Sequence, residues 1–74
     1  YDVVVANILA NTLVTLAPAL EARLAPGADL LLSGILVPQE DEVAAAYRAL
    51  GLAQQAGARD GEWSLLHFRK DGPP

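Results

Sequence analysis

The 74-residue chain has no cysteine and one histidine, His67, so it can build neither a disulfide framework nor a metal site from thiolates or paired imidazoles. No metal ligand set is expected. Methionine is also missing. The chain opens on Tyr1-Asp2 followed at once by Val3-Val4-Val5, which predicts that the first residue lies inside an element and that the chain is a segment of a longer protein. Basic charge is scarce: 5 Lys and Arg against 9 Asp and Glu leave a net charge of −4, which argues against a direct nucleic-acid partner. The uninterrupted apolar runs at 3–6, 30–32 and 35–37 fall far short of the roughly 20 residues of a membrane span. No basic segment precedes an apolar core as a signal peptide requires, so the expectation is no membrane partner and a cytoplasmic location. A Gly-rich phosphate loop is absent as well.

Apolar residues are plentiful: 53% of the chain is hydrophobic, too much for a disordered segment and enough for one small domain. Val3, Val4 and Val5 form a continuous β-branched run that suits a strand covered on both faces and ending at Asn7. Leu9, Leu13, Leu16, Leu20 and Leu24 then recur at helical spacing. Asn11 is a candidate N-cap, Pro18 predicts a kink or a restarted helix near Ala17, and Pro26-Gly27 predicts the stop. A short strand over 30–32 leads into Ser33-Gly34, and the intervening segment is long enough for a helical crossover between parallel strands. Val43, Ala46, Tyr47 and Leu50 mark a second amphipathic helix, with Glu40, Asp41 and Glu42 as a solvated first turn and Gly51 as its C-cap. Segments 52–58 and 63–69 flank a turn-rich connection and predict an antiparallel hairpin. The fold class is therefore α/β, ordered β-α-β-α-β-β, with 71–74 as a disordered tail.

In open α/β sheets ligands bind beyond the carboxyl ends of the parallel strands. Two segments meet that condition, Asn7-Ile8-Leu9-Ala10 and Ser33-Gly34-Ile35-Leu36. Asn7 offers donors and an acceptor at the end of an apolar strand, and either ties down the following loop or meets a ligand. Ser33-Gly34 either lets the backbone bend or lines the same crevice. Glu40-Asp41-Glu42 point in different directions around a helix and do not form a metal site. His67 shares one face of the last strand with Trp63, Leu65 and Arg69 and reads as structural; Trp63 is expected to cover the sheet.

Asn7-Ile8-Leu9-Ala10, preceded by Tyr1-Asp2-Val3-Val4-Val5-Ala6, resembles the C-terminal part of the PrmA-type methyltransferases, class I enzymes acting on ribosomal protein L-eleven. The similarity continues through Leu16-Ala17-Pro18, Leu24-Ala25-Pro26-Gly27, Leu32-Ser33-Gly34-Ile35-Leu36 and Gly61-Glu62-Trp63. Thr12 stands where the family often has Pro, and Ala28 where it often has a second Gly. The resemblance implies that 1–70 is the C-terminal half of a Rossmann-like catalytic domain, its first strand the fourth of seven and its last pair antiparallel. It implies S-adenosylmethionine as cofactor and lysine or terminal amines of a large-subunit ribosomal protein as substrate. By the same resemblance Asn7 is the catalytic residue, Asn7 and Ile8 contact the cofactor, and Ile8, Leu9 and Ala10 contact the substrate. Base-methylating relatives with Asn-Pro-Pro-Tyr would need a stacking Tyr where this chain has Ala10. The alternative is a non-catalytic half-Rossmann module that packs or oligomerises. The isolated chain is expected to be inactive and to self-associate through its first strand.

Overall fold

The computed structural model describes residues 2–71. In chain order the elements are β1 (Val3–Asn7), α1 (Ala10–Ala22), β2 (Asp29–Leu36), α2 (Glu40–Arg48), β3 (Ala53–Gln54), β4 (Ala58–Asp60) and β5 (Trp63–Arg69), with a 3-10 turn over Val37–Gln39 leading into α2. The described strands form one mixed sheet ordered β1-β2-β5-β3, with β4 also paired to β5. β1 and β2 are parallel, in register from Val3 opposite Asp29 to Asn7 opposite Ser33. β5 runs antiparallel to β2, β3 and β4. The architecture is α/β, as expected, with two helices and a parallel pair joined by α1.

Both helices pack on one face of this sheet. Leu13 and Ala17 of α1 and Val43, Ala44 and Tyr47 of α2 meet Leu30, Leu32 and Ile35 of β2 and Leu66 and Phe68 of β5 in a single core. Burying each of the leucine, isoleucine, valine and phenylalanine side chains among them contributes about 1.5–3 kcal/mol. The Tyr47 hydroxyl donates to the Leu13 carbonyl at 2.7 Å, locking one helix to the other. Its ring stacks on Phe68 with centroids 5.5 Å apart. On the other face Val3 and Val5 are 56% and 65% exposed, so β1 is covered on one side only. This departs from the strand covered on both faces that the Val run predicts.

Several local expectations are corrected. Helix α1 begins at Ala10 with Leu9 in the N-cap position, so Asn11 lies inside the first turn; its side chain accepts from the Thr12 amide instead. The buried face of α1 is Ala10, Leu13 and Ala17, while Leu9 and Leu16 are exposed: the small alanines let the helix approach the sheet, and the leucine stripe is rotated away from the core's centre. Pro18 neither breaks nor restarts the helix, which runs unbroken from Ala10 to Ala22 with the proline on its exposed side. A proline there removes one i to i−4 bond, and the packed face on the opposite side holds the turn. The helix closes through the Leu24 amide, which donates to the Glu21 carbonyl at 3.1 Å.

β2 does not end at Leu32 but continues through Ser33-Gly34 to Leu36. Leu32 lies opposite Leu66 and Ile35 opposite Ser64, so three steps along β2 match two along β5. That is a β-bulge, and the extra residue reverses the alternation. Leu30 and Leu32 face the core before it, and Ile35 faces the core after it. The expected terminal hairpin is present, but its first arm is divided into β3 and β4. Gly57 lies between them, so close to β5 that a Cβ there would come within 2.3 Å of the Leu65 carbonyl oxygen. The chain turns from β4 into β5 through Gly61-Glu62 alone, because Asp60 and Trp63 are register partners. Of the expected tail, residues 72–74 lie outside the described residues.

Candidate functional site

The sheet register decides which sequence segments meet. Asn7, the last residue of β1, stands opposite Ser33, so the two candidate segments lie side by side at the carboxyl end of the parallel pair. Gly34, the bulge residue, has φ +78°, a region that L side chains rarely adopt. A Cβ at Gly34 would sit 2.8 Å from the Asn7 Oδ1 and 3.0 Å from the Ile8 carbonyl oxygen. The bare backbone of Gly34 therefore makes the space in which the Asn7 amide and the turn after β1 are seated.

An open groove of about 670 Å³ lies over this junction, lined by Asn7, Ile8 and Leu9, by Ser33 and Gly34, and by Ala58, Arg59, Asp60, Trp63, Ser64 and Leu65. Its volume falls within the roughly 300–1,000 Å³ usual for small-molecule sites. The lining joins an apolar set (Ile8, Leu9, Trp63, Leu65) to a few polar groups (Asn7, Ser33, Arg59, Asp60). Such a mixture orients a ligand by a small number of hydrogen bonds while its apolar walls exclude water.

Of the sequence-predicted residues, Asn7, Ile8, Leu9, Ser33 and Gly34 come together on the groove. Ala10 does not: it is 5% exposed and belongs to the core beneath α1. Ile35 is likewise fully buried in the core. Trp63 overturns its expected role, because it is 56% exposed and lines the groove instead of covering the sheet. Being first in β5, it lies beside the Gly61-Glu62 turn. The groove wall formed by β4 and the start of β5 was not singled out from sequence; the two-residue turn next to the lone tryptophan was the available signal. His67 is held within the sheet, its Nε2 2.8 Å from the Asp29 carboxylate, which also accepts from Arg69 Nε at 3.1 Å. These two hydrogen bonds, His67 first, lower the Asp29 pKa. Among the described residues no cluster of His, Cys, Asp and Glu could hold a metal ion. No described helix is long and apolar enough to cross a membrane.

Comparison with known proteins gives this strand-end groove its context. The sequence profile of the family "Ribosomal protein L11 methyltransferase (PrmA)" matches residues 1–71. The chain belongs to this family. It is 46% identical over 69 residues to the ribosomal protein L11 methyltransferase of Brucella suis, covering 93% of this chain and 24% of that protein. With the Geobacter sulfurreducens ribosomal protein L11 methyltransferase the identity is 49% over 72 residues, covering 97% of this chain and 24% of the relative. The crystal structure of a ribosomal protein L11 methylase from Lactobacillus delbrueckii subsp. bulgaricus superposes with a TM-score of 0.86 at 33% identity, over 93% of this chain and 36% of that one. The chain thus spans about a quarter of the length of the Brucella and Geobacter relatives and about a third of the Lactobacillus chain.

Proposed function

We propose that this chain supplies one wall of the active site of a protein N-methyltransferase that uses S-adenosylmethionine, with a ribosomal protein as methyl acceptor. The observation that carries the reading is the seating of Asn7 against Gly34 at the carboxyl end of the parallel strands, on a groove with apolar walls. Membership of the methyltransferase family and the names of the relatives support it. The groove fits the methyl donor in kind: Gly34 forms a cradle that a Cβ would fill, Asn7 can donate and accept hydrogen bonds, and Ile8 brings an apolar side chain and a backbone carbonyl. When bound, S-adenosylmethionine supplies an electrophilic sulfonium methyl.

In this reading Asn7 Oδ1 accepts a hydrogen bond from the neutral acceptor amine and aims its lone pair along the line of displacement. The methylated amine would be left as an ammonium, whose extra proton can pass to water at the open groove. Methyl transfer depends on alignment more than on a strong base. Ile8 and Leu9 line the path of the amine's aliphatic stem. The acceptors are lysine side chains or terminal amines, and the compartment is the cytoplasm.

The test is Asn7→Ala in a polypeptide of the relatives' full length that carries this segment. Methyl transfer from labelled donor should fall by about 10²-fold or more, as for loss of a group that aligns or stabilises the reacting atoms. The melting temperature should change little, because the exposed amide leaves no apolar cavity. Parallel losses of transfer and stability would show that Asn7 only ties down its loop. A second reading, a module that packs against another copy, draws on the exposed Val3 and Val5 beside the open edge of β1.

A further inference from the structure

The first turn of α2 is not uniformly solvated, contrary to the expectation for Glu40-Asp41-Glu42. Asp41 and Glu42 are exposed, but the Glu40 side chain is only 16% exposed and is held from two strands. It accepts from Arg59 Nε on β4 at 3.1 Å, from a second guanidinium nitrogen of Arg59, and from the Ser64 hydroxyl on β5. Arg59 and Ser64 are themselves register partners, so one carboxylate closes a loop across the β4–β5 hairpin. These hydrogen bonds, Arg59 first and then Ser64, hold the Glu40 carboxyl down to about 2, so it stays charged at any physiological pH.

The hairpin needs such a tie. β4 is three residues long, all of them exposed, and among the described residues its one strand partner is β5. Trp63, one residue from Ser64 in β5, lines the groove together with Arg59 and Ser64. Glu40 does not line it. A carboxylate gripping Arg59 and Ser64 fixes the hairpin against α2, and with it the position of the indole one residue from Ser64.

We propose that Glu40 is a positioning residue: through Arg59 and Ser64 it braces the β4–β5 hairpin against α2 and so holds Trp63 in place as a wall of the groove. This rests on the reading of the groove as the methyl-transfer site for its kinetic consequence but not for its mechanical one. Trp63 is the only tryptophan of the chain, so its fluorescence reports on that wall directly. In Glu40→Ala, the fast local component of its anisotropy decay and its quenching by acrylamide should both rise, with far-UV circular dichroism unchanged. Glu40→Gln, which keeps acceptor oxygen for Ser64 but loses the charge for Arg59, should lie between wild type and Glu40→Ala. If Glu40→Ala does not fold, Arg59→Ala, at a side chain 63% exposed, makes the same cut from the other end. An unchanged Trp63 signal in a folded variant of either residue overturns the brace.

In a polypeptide of the relatives' full length, Glu40→Ala should raise the acceptor KM by about tenfold and leave kcat nearly unchanged, the signature of lost positioning at the acceptor wall. Loosened Trp63 with unchanged kinetics would keep the brace and remove the acceptor role of the groove. Altered kinetics with an unmoved Trp63 would remove the brace and keep the groove.

Discussion

Asn7 and Trp63 illustrate how differently two conspicuous residues fare once the chain is folded. Asn7 ends its strand where expected, and its amide meets Gly34 because the parallel register puts residue 7 opposite residue 33. Nothing in the local sequence states that register. Trp63 reads as a core aromatic because a large ring usually buries area in a domain this small. The structure leaves it 56% exposed at the start of β5. Trp63→Ala should therefore cost well under the roughly 3–5 kcal/mol of a buried aromatic truncation. Thermal melting of the variant checks this; a loss in that range would mean that the indole covers apolar surface after all. Methyl transfer in the full-length polypeptide is expected to suffer more than stability does.

At the scale of elements, the two helices are joined by one buried hydrogen bond, from Tyr47 on α2 to the Leu13 carbonyl on α1. Burial pushes the Tyr47 phenol up to about 12, against an ordinary value of 10.0. The folded-state pKa is raised, so the stability this tyrosine contributes is complete below pH 10.0 and is lost as pH rises towards 12. Tyr47→Phe keeps the stacking on Phe68 and removes only the hydroxyl, and should cost about 1–2 kcal/mol at neutral pH. Urea unfolding measured from pH 8 to 11 should show the difference between wild type and variant shrinking above pH 10; a constant difference would mean that the Tyr47 phenol has the same pKa in the folded and unfolded chain. Periodicity places both helices in sequence but not the start or the buried stripe of α1, and Tyr47 is among the expected apolar set. The partner of its hydroxyl lies 34 residues away and is set by how the helices cross. Pro18 was misjudged for the related reason that packing on one face of α1 compensates a bond lost on the other.

For the molecule as a whole, the described residues leave β1 with one strand neighbour and one uncovered face. An edge strand with free backbone groups and exposed Val3 and Val5 is a template for pairing with another copy. The 74-residue chain is therefore expected to self-associate in sedimentation experiments, and Val5→Lys on the exposed face should shift it towards monomer. A wild-type monomer at high concentration would exclude the edge as an association site. Titration calorimetry with S-adenosylmethionine at millimolar concentration should show no saturable binding, because in the reading proposed above this chain supplies only one wall of the site. A saturable isotherm would mean that the segment binds the donor unaided.

The sequence alone determined the α/β class of the fold, the family resemblance and the strand-end position of Asn7. All of these depend on short-range patterns: apolar periodicity, turn residues, and a motif read along one stretch of chain. Only the tertiary structure decided that Gly34 sits in a bulge that carries β2 onward instead of ending it, that Ala10 is core and Trp63 is groove, and that Glu40 is bound while Asp41 and Glu42 are free in solvent. Those outcomes depend on strand register and on which face each helix turns to the sheet. Both are fixed by contacts between residues far apart in sequence, where a shift of one residue exchanges inside for outside.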